Sequence, residues 1–200
     1  LIMTSLKEPD LSLNLLDKEL LCVENAGIEP IICLSKSDLL SKTEKNEYKK
    51  VFAYYKSIGY KVVKNTETFK IKRMLKGHTV VLTGQTGSGK STILNRLDKK
   101  LDLKTSPISK ALGRGVHTTR HVELFKVKGA FIADTPGFSA LDLNFPKENL
   151  KMLFREFRGI ECKFKDCEHI KEKGCGVLDA LDNGKIKQTR YENYVKFRGE

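Results

Sequence analysis

Two hydrophobic spacings alternate along the first half of the chain. Short apolar runs of strand length occupy residues 1–3, 30–34, 60–63 and 80–82. Leucine and aromatic residues recur at helical spacing in residues 12–26 and 41–58, and a weaker helical pattern precedes Lys76. Gly27 and Gly59 end the first two helical patterns. This alternation predicts an α/β fold, with a mostly parallel sheet that carries helices on both faces.

The fourth apolar run leads into a glycine-rich loop and then a helical pattern, which is the context of a phosphate-binding loop. The loop consists of Gly84, Gln85, Thr86, Gly87, Ser88, Gly89, Lys90, Ser91 and Thr92. Its backbone N–H groups would surround phosphates at a helix N-terminus. Lys90 would reach the terminal phosphates, and the Ser91 hydroxyl would bind Mg²⁺. The alternative is a chance glycine-rich turn. The loop also occurs in ATP-hydrolysing motors and transporters, so it does not select the base.

A second pair of apolar runs, residues 122–127 and 130–133, flanks a Lys128-Gly129 turn and predicts an antiparallel pair. The long polar stretch before it, residues 100–118, lacks periodicity and is typical of a functional loop. Asp134-Thr135-Pro136-Gly137 follows the second run. Beside a phosphate loop it predicts a nucleotide switch, in which Asp134 holds Mg²⁺ through water and the Gly137 N–H contacts the terminal phosphate. Alone, it is a common turn sequence.

The character of the chain changes after Pro146, so we predict two domains, residues 1–145 and 146–200. A helix carrying Leu150, Leu153, Phe154 and Phe157 is expected first. A cluster of ligand-type residues follows, namely Cys162, Cys167, His169 and Cys175. Three thiolates and one imidazole predict a closed, structural Zn²⁺ site in a helical domain. Lysines between the ligands make the segment too polar for buried thiols, whereas Cys22 and Cys33 lie among apolar neighbours and are expected in the core.

The formal charge of +12 and the pI near 9.4 point to a polyanionic partner such as nucleic acid. A lysine-rich proteome is the alternative explanation. Basic residues after the boundary predict an RNA-contacting surface, although a merely solvated face would show the same pattern: Arg155, Arg158, Lys163, Lys165, Lys171, Lys173, Lys185, Lys187, Arg190, Lys196 and Arg198. Five cysteines form no even disulfide framework, and no run approaches membrane-span length. Together with the lack of a signal peptide, these features predict a cytoplasmic protein.

Ser35-Lys36-Ser37-Asp38, at the end of the second apolar run, is similar to the Asn-Lys-x-Asp guanine motif of GTPases. The Asp38 carboxylate could accept hydrogen bonds from the guanine N1 and the exocyclic amine, a donor pair that adenine lacks. Lys36 would pack its stem over the base. Ser35 replaces the usual asparagine, which predicts a lower affinity for the nucleotide.

The guanine motif precedes the phosphate loop by about fifty residues, whereas in ordinary GTPases it follows that loop. In this order the chain resembles the circularly permuted GTPases of the RsgA (YjeQ/EngC) family. The resemblance also covers Gly115-Val116-His117-Thr118-Thr119-Arg120, the cysteine module and the closing Arg190-Tyr191-Glu192-Asn193-Tyr194. The family's second guanine-contacting loop is not recognisable near Asn65-Thr66. Its amino-terminal OB-fold is missing, which indicates a fragment.

The resemblance implies a GTPase that acts in late maturation of the small ribosomal subunit through rRNA binding. It implies GTP or GDP, Mg²⁺ and one structural zinc ion, and we expect a monomer. Many GTPases carry a water-orienting glutamine where this chain has Phe138, so intrinsic hydrolysis should be slow. The resemblance assigns that role to His117, with Lys90 on the phosphates and Thr119 or its neighbour Thr118 on Mg²⁺. A His117 without any catalytic task is the alternative.

Two functions from other classes remain open at this point. A P-loop ATPase would use the same loop, but its usual Asp-Glu strand end and Leu-Ser-Gly-Gly signature do not occur here. A zinc-dependent RNA-binding module with a vestigial nucleotide site would keep the cysteine cluster and the basic residues.

Overall fold

The computed structural model describes residues 1–103, 123–134 and 146–200, and its contacts divide them into two compact units. Unit 1 contains Leu1–Leu11, Ile31–Phe52 and residues 60–103 and 123–134. Unit 2 contains Ser12–Pro30, Ala53–Gly59 and residues 146–200. The division at residue 145 stays a prediction, and the contacts add two earlier segments to the C-terminal unit.

Unit 1 is built on a six-stranded sheet in the order β3-β2-β1-β4-β6-β5. The strands are β1 (Ile2–Ser5), β2 (Ile31–Ser35), β3 (Lys61–Lys64), β4 (Thr79–Gly84), β5 (Glu123–Val127) and β6 (Ala130–Asp134). Every neighbouring pair is parallel except β5 with β6, which are antiparallel. The short apolar runs therefore became parallel strands, and the Lys128-Gly129 turn joins the one antiparallel pair of this sheet, as predicted.

Helices α2 (Lys42–Ser57), α3 (Thr68–Leu75) and α4 (Lys90–Leu97) lie between these strands in sequence. The predicted capping box begins α2, because Glu44 N donates to Ser41 Oγ (3.2 Å) and Ser41 N donates to the Glu44 carboxylate (2.6 Å). Side chains of α3 and α4 pack into the main core of unit 1 with one face of the sheet; Ile71, Leu75, Ile93, Leu94, Leu82 and Ile132 are all buried there. The apolar positions that predicted these helices and strands are the ones buried in this core.

Unit 2 contains α1 (Leu13–Asn25), α5 (Leu150–Leu153), α6 (Gly176–Asp182) and α7 (Gln188–Gly199). The helix predicted through Phe157 is shorter than expected. Phe154 leaves the helix with an extended backbone, and a 3₁₀ turn spans Arg155–Phe157. The break lets the Phe154 ring stack on Phe157 (5.2 Å between centroids) and meet Tyr194 edge-on (5.4 Å). Aromatic packing therefore overrides the helical spacing at this position.

A buried ion network joins α1, α7 and the 3₁₀ turn within unit 2. The Arg190 guanidinium donates to Asp17 (2.5 Å) and to both Glu156 oxygens (2.6 and 2.9 Å). Tyr55 (2.7 Å) and Asn193 (2.6 Å) also donate to Asp17. Arg190 is 1% exposed and lies 4.6 Å from the Phe154 ring centroid. The prediction that Arg190 belongs to an RNA-contacting surface is therefore wrong, because its charge is used inside the unit.

Replacing Arg190 by methionine should destabilise unit 2 strongly. Arg190→Met leaves two buried carboxylates without their cation, so we expect a loss of about 3–5 kcal/mol in the free energy of unfolding. Burial already raises the pKa of Asp17, and removing the opposing guanidinium raises it further. The folded variant then holds protons more tightly than the unfolded chain, so the deficit should shrink from neutral to mildly acidic pH.

Equilibrium unfolding in urea at both pH values measures this loss. The control is Lys196→Met on the exposed side of α7, which should change stability by no more than about 0.5 kcal/mol. Equal stability of Arg190→Met and the control would contradict the role of the network.

Candidate functional site

The sheet topology brings the predicted nucleotide motifs to one edge of unit 1. Ser35, Gly84 and Asp134 are the last residues of β2, β4 and β6, and these strands are parallel. β1 lies between β2 and β4, with Ser5 opposite Ser35 and Met3 opposite Gly84. The guanine motif and the phosphate loop therefore lie only two strands apart, although about fifty residues separate them in sequence.

The phosphate loop turns sharply between β4 and α4. A Cβ atom at Gly84 would lie 2.3 Å from the Met3 carbonyl oxygen, so only glycine fits beside β1. Gly89, with φ of +95°, precedes α4 and provides no side-chain cap for the helix. In contrast, Ser12 caps α1 and Ser41 caps α2. The first N–H groups of α4 thus lack a side-chain cap, which is the arrangement that binds phosphate.

Lys90 and two oxygen ligands complete the phosphate side of this edge. Lys90 Nζ donates to the carbonyls of Gly84 (2.8 Å) and Gln85 (3.3 Å), which holds the ammonium over the loop. Ser91 lies in the first turn of α4, and Asp134 is opposite Leu82 in the neighbouring strand. A hydroxyl and a carboxylate are hard oxygen donors of the kind that Mg²⁺ uses. The residues present therefore fit a magnesium nucleotide.

Ser35 connects the guanine motif to the phosphate loop. Its Oγ donates to the Ser88 carbonyl oxygen (2.7 Å), and the residue is 1% exposed. A Cβ atom at Gly89 would lie 3.8 Å from the Ser35 Cβ. The Ser88 Oγ is itself buried and has no hydrogen-bond partner among the described residues. The serine that replaces asparagine here makes a definite contact, which composition alone did not indicate.

Lys36 and Asp38 follow directly at the same edge. Lys36 has φ of +56° and its Nζ donates to the Glu8 carbonyl oxygen, so the side chain lies against the loop after β1. Asp38 is exposed within the 3₁₀ turn Ser37–Leu39. The exposed Asp38 carboxylate is accessible to a ligand. The position predicted for Lys36, with its stem over the base, stays a prediction.

The loop after β3 is a further candidate for contact with the base, although no motif in the sequence identifies it. β3 is the neighbour of β2, and Asn65 N donates to the Leu34 carbonyl oxygen (2.8 Å). Glu67 closes the loop by accepting from Lys64 N (2.6 Å). The loop has no Ser-Ala signature, so only the strand order could locate it. His117, Thr118, Thr119 and Gly137 lie outside the described residues.

The predicted metal ligands converge in unit 2. One ligand atom from each of Cys162, Cys167, His169 and Cys175 lies within 4.8 Å of the others. Cys162 Sγ is 3.9 Å from Cys175 Sγ, and His169 Nδ1 is 3.6 and 3.4 Å from these two sulfur atoms. A tetrahedral Zn²⁺ with Zn–S bonds of about 2.3 Å requires sulfur atoms about 3.8 Å apart. The donor set and its spacing fit structural zinc, with Nδ1 as the imidazole ligand.

A hydrogen-bonded shell fixes the segment that carries these ligands. Tyr191 OH donates to the His169 carbonyl (2.8 Å), and Tyr194 OH donates to the Glu168 carbonyl (2.7 Å). The Glu172 carboxylate accepts from the backbone N–H groups of Glu168, Ile170 and Lys171. Burial lowers the pKa of His169, which favours the neutral imidazole that a metal needs. Neither Cys22 nor Cys33 belongs to the cluster, and burial raises the pKa of Cys33 to about 12.

Comparison with known proteins identifies the family. Residues 1–144 match the family model described as RsgA GTPase. The chain belongs to the RsgA GTPase family. The small ribosomal subunit biogenesis GTPase RsgA of Limosilactobacillus fermentum is 46% identical, covering 98% of this chain and 69% of the relative. The protein of the same name from Latilactobacillus sakei is 43% identical, covering 100% of this chain and 70% of the relative.

Two solved structures share the fold. The circularly permuted GTPase YloQ superposes with a TM-score of 0.80 at 34% identity, over 99% of this chain and 66% of that one. YjeQ from Thermotoga maritima gives a TM-score of 0.81 at 30% identity, over 98% of this chain and 68% of that one. The chain is thus a circularly permuted GTPase of the RsgA family that spans about two thirds of these relatives. Among the described residues no helix has the length and apolarity needed to span a membrane.

The cysteine cluster of this RsgA-family chain should hold about one zinc ion per chain. Cys175→Ser removes one thiolate and should reduce the zinc content to near zero, because a structural site needs all four ligands. The loss should also expose the Cys162–Cys175 segment to protease. Metal analysis of the purified protein and limited proteolysis measure both effects. Cys22→Ser is the matched control and should keep the zinc; retention of zinc by Cys175→Ser would contradict the assignment.

Proposed function

We propose that this GTPase acts in late maturation of the small ribosomal subunit, where it binds rRNA and hydrolyses GTP to GDP and phosphate. The observation that carries the nucleotide part is the hydrogen bond from Ser35 Oγ to the Ser88 carbonyl oxygen (2.7 Å). It joins the first residue of the guanine motif to the phosphate loop, and Asp38 follows three residues later. The names of the relatives, small ribosomal subunit biogenesis GTPase RsgA, support the partner.

Each motif at the carboxyl edge has a defined part in substrate binding. Asp38 accepts from the guanine N1–H and exocyclic amine, and Ser35 and Lys36 shape the turn that presents it. The phosphates lie on the backbone of Gly84–Thr92 and at the N-terminus of α4, where the residues are Gly84, Gln85, Thr86, Gly87, Ser88, Gly89, Lys90, Ser91 and Thr92. The Gly137 N–H would contact the terminal phosphate. The Asn65–Glu67 loop follows β3, the strand next to β2, and is our candidate for the second contact with the base.

Magnesium and the switch residues complete the proposed site. Ser91, Thr119 and Asp134 would hold Mg²⁺, directly or through water. Bound Mg²⁺ would offset the negative charge of the phosphate oxygens as the terminal bond breaks. Lys90 adds a second positive charge at the same oxygens. Unlike glutamine, Phe138 cannot orient water, so His117 takes that role as a neutral imidazole that accepts a hydrogen bond from the attacking molecule.

The zinc centre has a structural part in this proposal. Cys162, Cys167, His169 and Cys175 use all four tetrahedral positions, which leaves none for a substrate. Bound zinc would fix the segment of unit 2 that carries Lys163, Lys165, Lys171 and Lys173. We place the protein in the cytoplasm, where small subunits mature, and treat it as a monomer. Neither statement is needed for the chemistry.

Changing Asp38 to asparagine should reverse the choice of base. Asp38→Asn replaces an acceptor of two hydrogen bonds by an amide that cannot match guanine, so GTP affinity should fall at least about a hundredfold. The amide N–H can instead donate to the 2-oxo group of xanthine, so affinity for xanthosine triphosphate should rise. Titration calorimetry with GTP, ATP and xanthosine triphosphate measures the switch.

The control is Glu47→Gln, an equivalent change at an exposed position of α2, which should leave all three affinities unchanged. Equal binding of ATP and GTP by the wild-type chain would favour the P-loop ATPase. Failure to bind any of the three nucleotides would favour the zinc-dependent RNA module.

His117→Ala should separate hydrolysis from binding. Without an imidazole to orient water, the hydrolysis rate in the presence of small ribosomal subunits should fall by about a hundredfold. GTP affinity should stay within about twofold, since the side chain acts on water. The measurement is phosphate release with and without subunits. His121→Ala is the control from the same stretch, and equal stimulation of His117→Ala and wild type would refute the role.

A further inference from the structure

The excess positive charge of this chain does not lie where the sequence suggested. Residues 146–200 contain 13 Lys and Arg against 10 Asp and Glu, so they carry only +3 of the total +12. Moreover, Arg155, Arg158, Arg190 and Arg198 all form ion pairs with carboxylates inside unit 2. A polyanion attracted by the net charge should therefore be sought on the rest of the chain.

Two stretches of unit 1 combine basic residues with a complete lack of acidic ones. Residues 68–81 and 124–133 contain six Lys and Arg and no Asp or Glu. Lys70 pairs with Glu67 (3.5 Å). The other five make no ion pair with any described residue; they are Lys72, Arg73, Lys76, Lys126 and Lys128. Their charge is therefore free to act on a partner.

The fold brings these two stretches together at the β5–β6 turn. Gly77 N donates to the Gly129 carbonyl oxygen (2.8 Å), and Phe131 N donates to the His78 carbonyl oxygen (3.1 Å). The Lys76 Cγ lies 3.7 Å from where a Cβ atom of Gly129 would be. The stem of Lys76 therefore runs beside the turn that carries Lys128, and both side chains are exposed.

An exposed apolar face adjoins this basic turn. Strand register places Lys126 opposite Phe131 and Phe131 opposite Thr79, with Leu124, Ala133 and Val81 in the next row. Phe131 is 45% exposed, Leu124 62% and Val81 42%. The Lys126 Nζ lies 6.0 Å from the Phe131 ring centroid. The alternate residues of the same strands, such as Ile132 and Leu82, are buried in the core. The predicted second helical layer therefore does not cover this face in the described part of unit 1.

We propose that the hairpin surface, formed by Lys76, Lys126, Lys128, Phe131, Leu124 and Val81, binds an unpaired segment of RNA. One base stacks on Phe131 and the three lysines contact the phosphates. Unpaired RNA fits best because a helical RNA keeps its bases stacked away from an aromatic side chain. The inference rests on the proposed function only in taking RNA as the partner.

The position of the hairpin surface leaves the nucleotide site free. Phe131 is paired with Thr79 at the start of β4, whereas the phosphate loop begins at Gly84 at its end. Along the strand, the row of Phe131 lies about 17 Å from Gly84 and the row of Val81 about 10 Å. RNA at the hairpin surface and GTP at the carboxyl edge can therefore bind at the same time.

The test measures binding of a fluorescent single-stranded RNA of about 12 nucleotides to the whole zinc-loaded chain by anisotropy over a range of salt concentrations. The variant Lys76→Gln/Lys126→Gln/Lys128→Gln removes three phosphate contacts. The slope of log affinity against log salt should become shallower by about 2. The matched control is Lys45→Gln/Lys49→Gln/Lys50→Gln on α2. It removes three exposed lysines that pair with no acidic side chain in the described part of the chain, and it should keep the wild-type slope.

A second set of variants tests the aromatic contact. Phe131→Leu keeps an apolar side chain but loses the stacking face, so affinity should fall about tenfold with an unchanged salt slope. Phe131→Tyr should restore wild-type binding. Wild-type affinity of Phe131→Leu, equal slopes for the two triple variants, or equal binding of a blunt RNA duplex would overturn the proposal. The proposal would also be overturned if Lys163→Gln/Lys165→Gln/Lys171→Gln lost RNA binding while the hairpin triple variant kept it.

GTP turnover and zinc content, measured on the same samples, separate this proposal from the proposed function. A wild-type chain that hydrolyses GTP but does not bind single-stranded RNA would overturn the hairpin surface and leave the hydrolase intact. A chain that binds RNA through Phe131 without hydrolysing GTP would support the hairpin surface and overturn the proposed hydrolase function.

Discussion

The central position of β1 is the constraint on which the nucleotide site depends. β1 hydrogen-bonds to β2 on one side and to β4 on the other, and all three strands run in the same direction. Their carboxyl ends must therefore lie at one edge, whatever the order of the strands in sequence. A guanine motif at the end of β2 reaches the phosphate loop after β4 with equal ease in either order. The bond from Ser35 to Ser88 is the direct contact that this topology permits.

Unit 2 relies on specific polar contacts to hold together a small hydrophobic core. The Tyr194 ring packs on Phe154 and Phe157, and Phe154 also lies against the Arg190 guanidinium. The hydroxyl of Tyr194 binds the Glu168 carbonyl next to two metal ligands. The Arg190 network and the predicted zinc ligands therefore both contact one aromatic cluster. Small units commonly need such a metal ion in addition to apolar burial.

The sequence could predict those elements whose signals are local. A strand, a glycine-rich loop and a helix are contiguous around Lys90, and the metal ligands lie within fourteen residues of one another. Contacts between distant residues could not be predicted in this way. Nothing near Asp17 or Arg190 indicates that they pair, since they are 173 residues apart. For the same reason, the grouping of α1 with the C-terminal residues and the position of the Asn65–Glu67 loop came only from the structure.

The charge pattern shows why composition located the unpaired positive charge poorly. Arginine offers a planar fork of donors suited to carboxylates, and Arg155 and Arg190 each engage two acidic side chains inside unit 2. The lysines around the β5–β6 turn have no such partners among the described residues, and they are exposed. A surface built from lysines attracts phosphates without reading bases, because an ammonium is a point charge. Any selectivity of the proposed surface for unpaired RNA must then come from the exposed ring of Phe131. Its two cross-strand neighbours, Thr79 and Lys126, have no ring that could stack on a base.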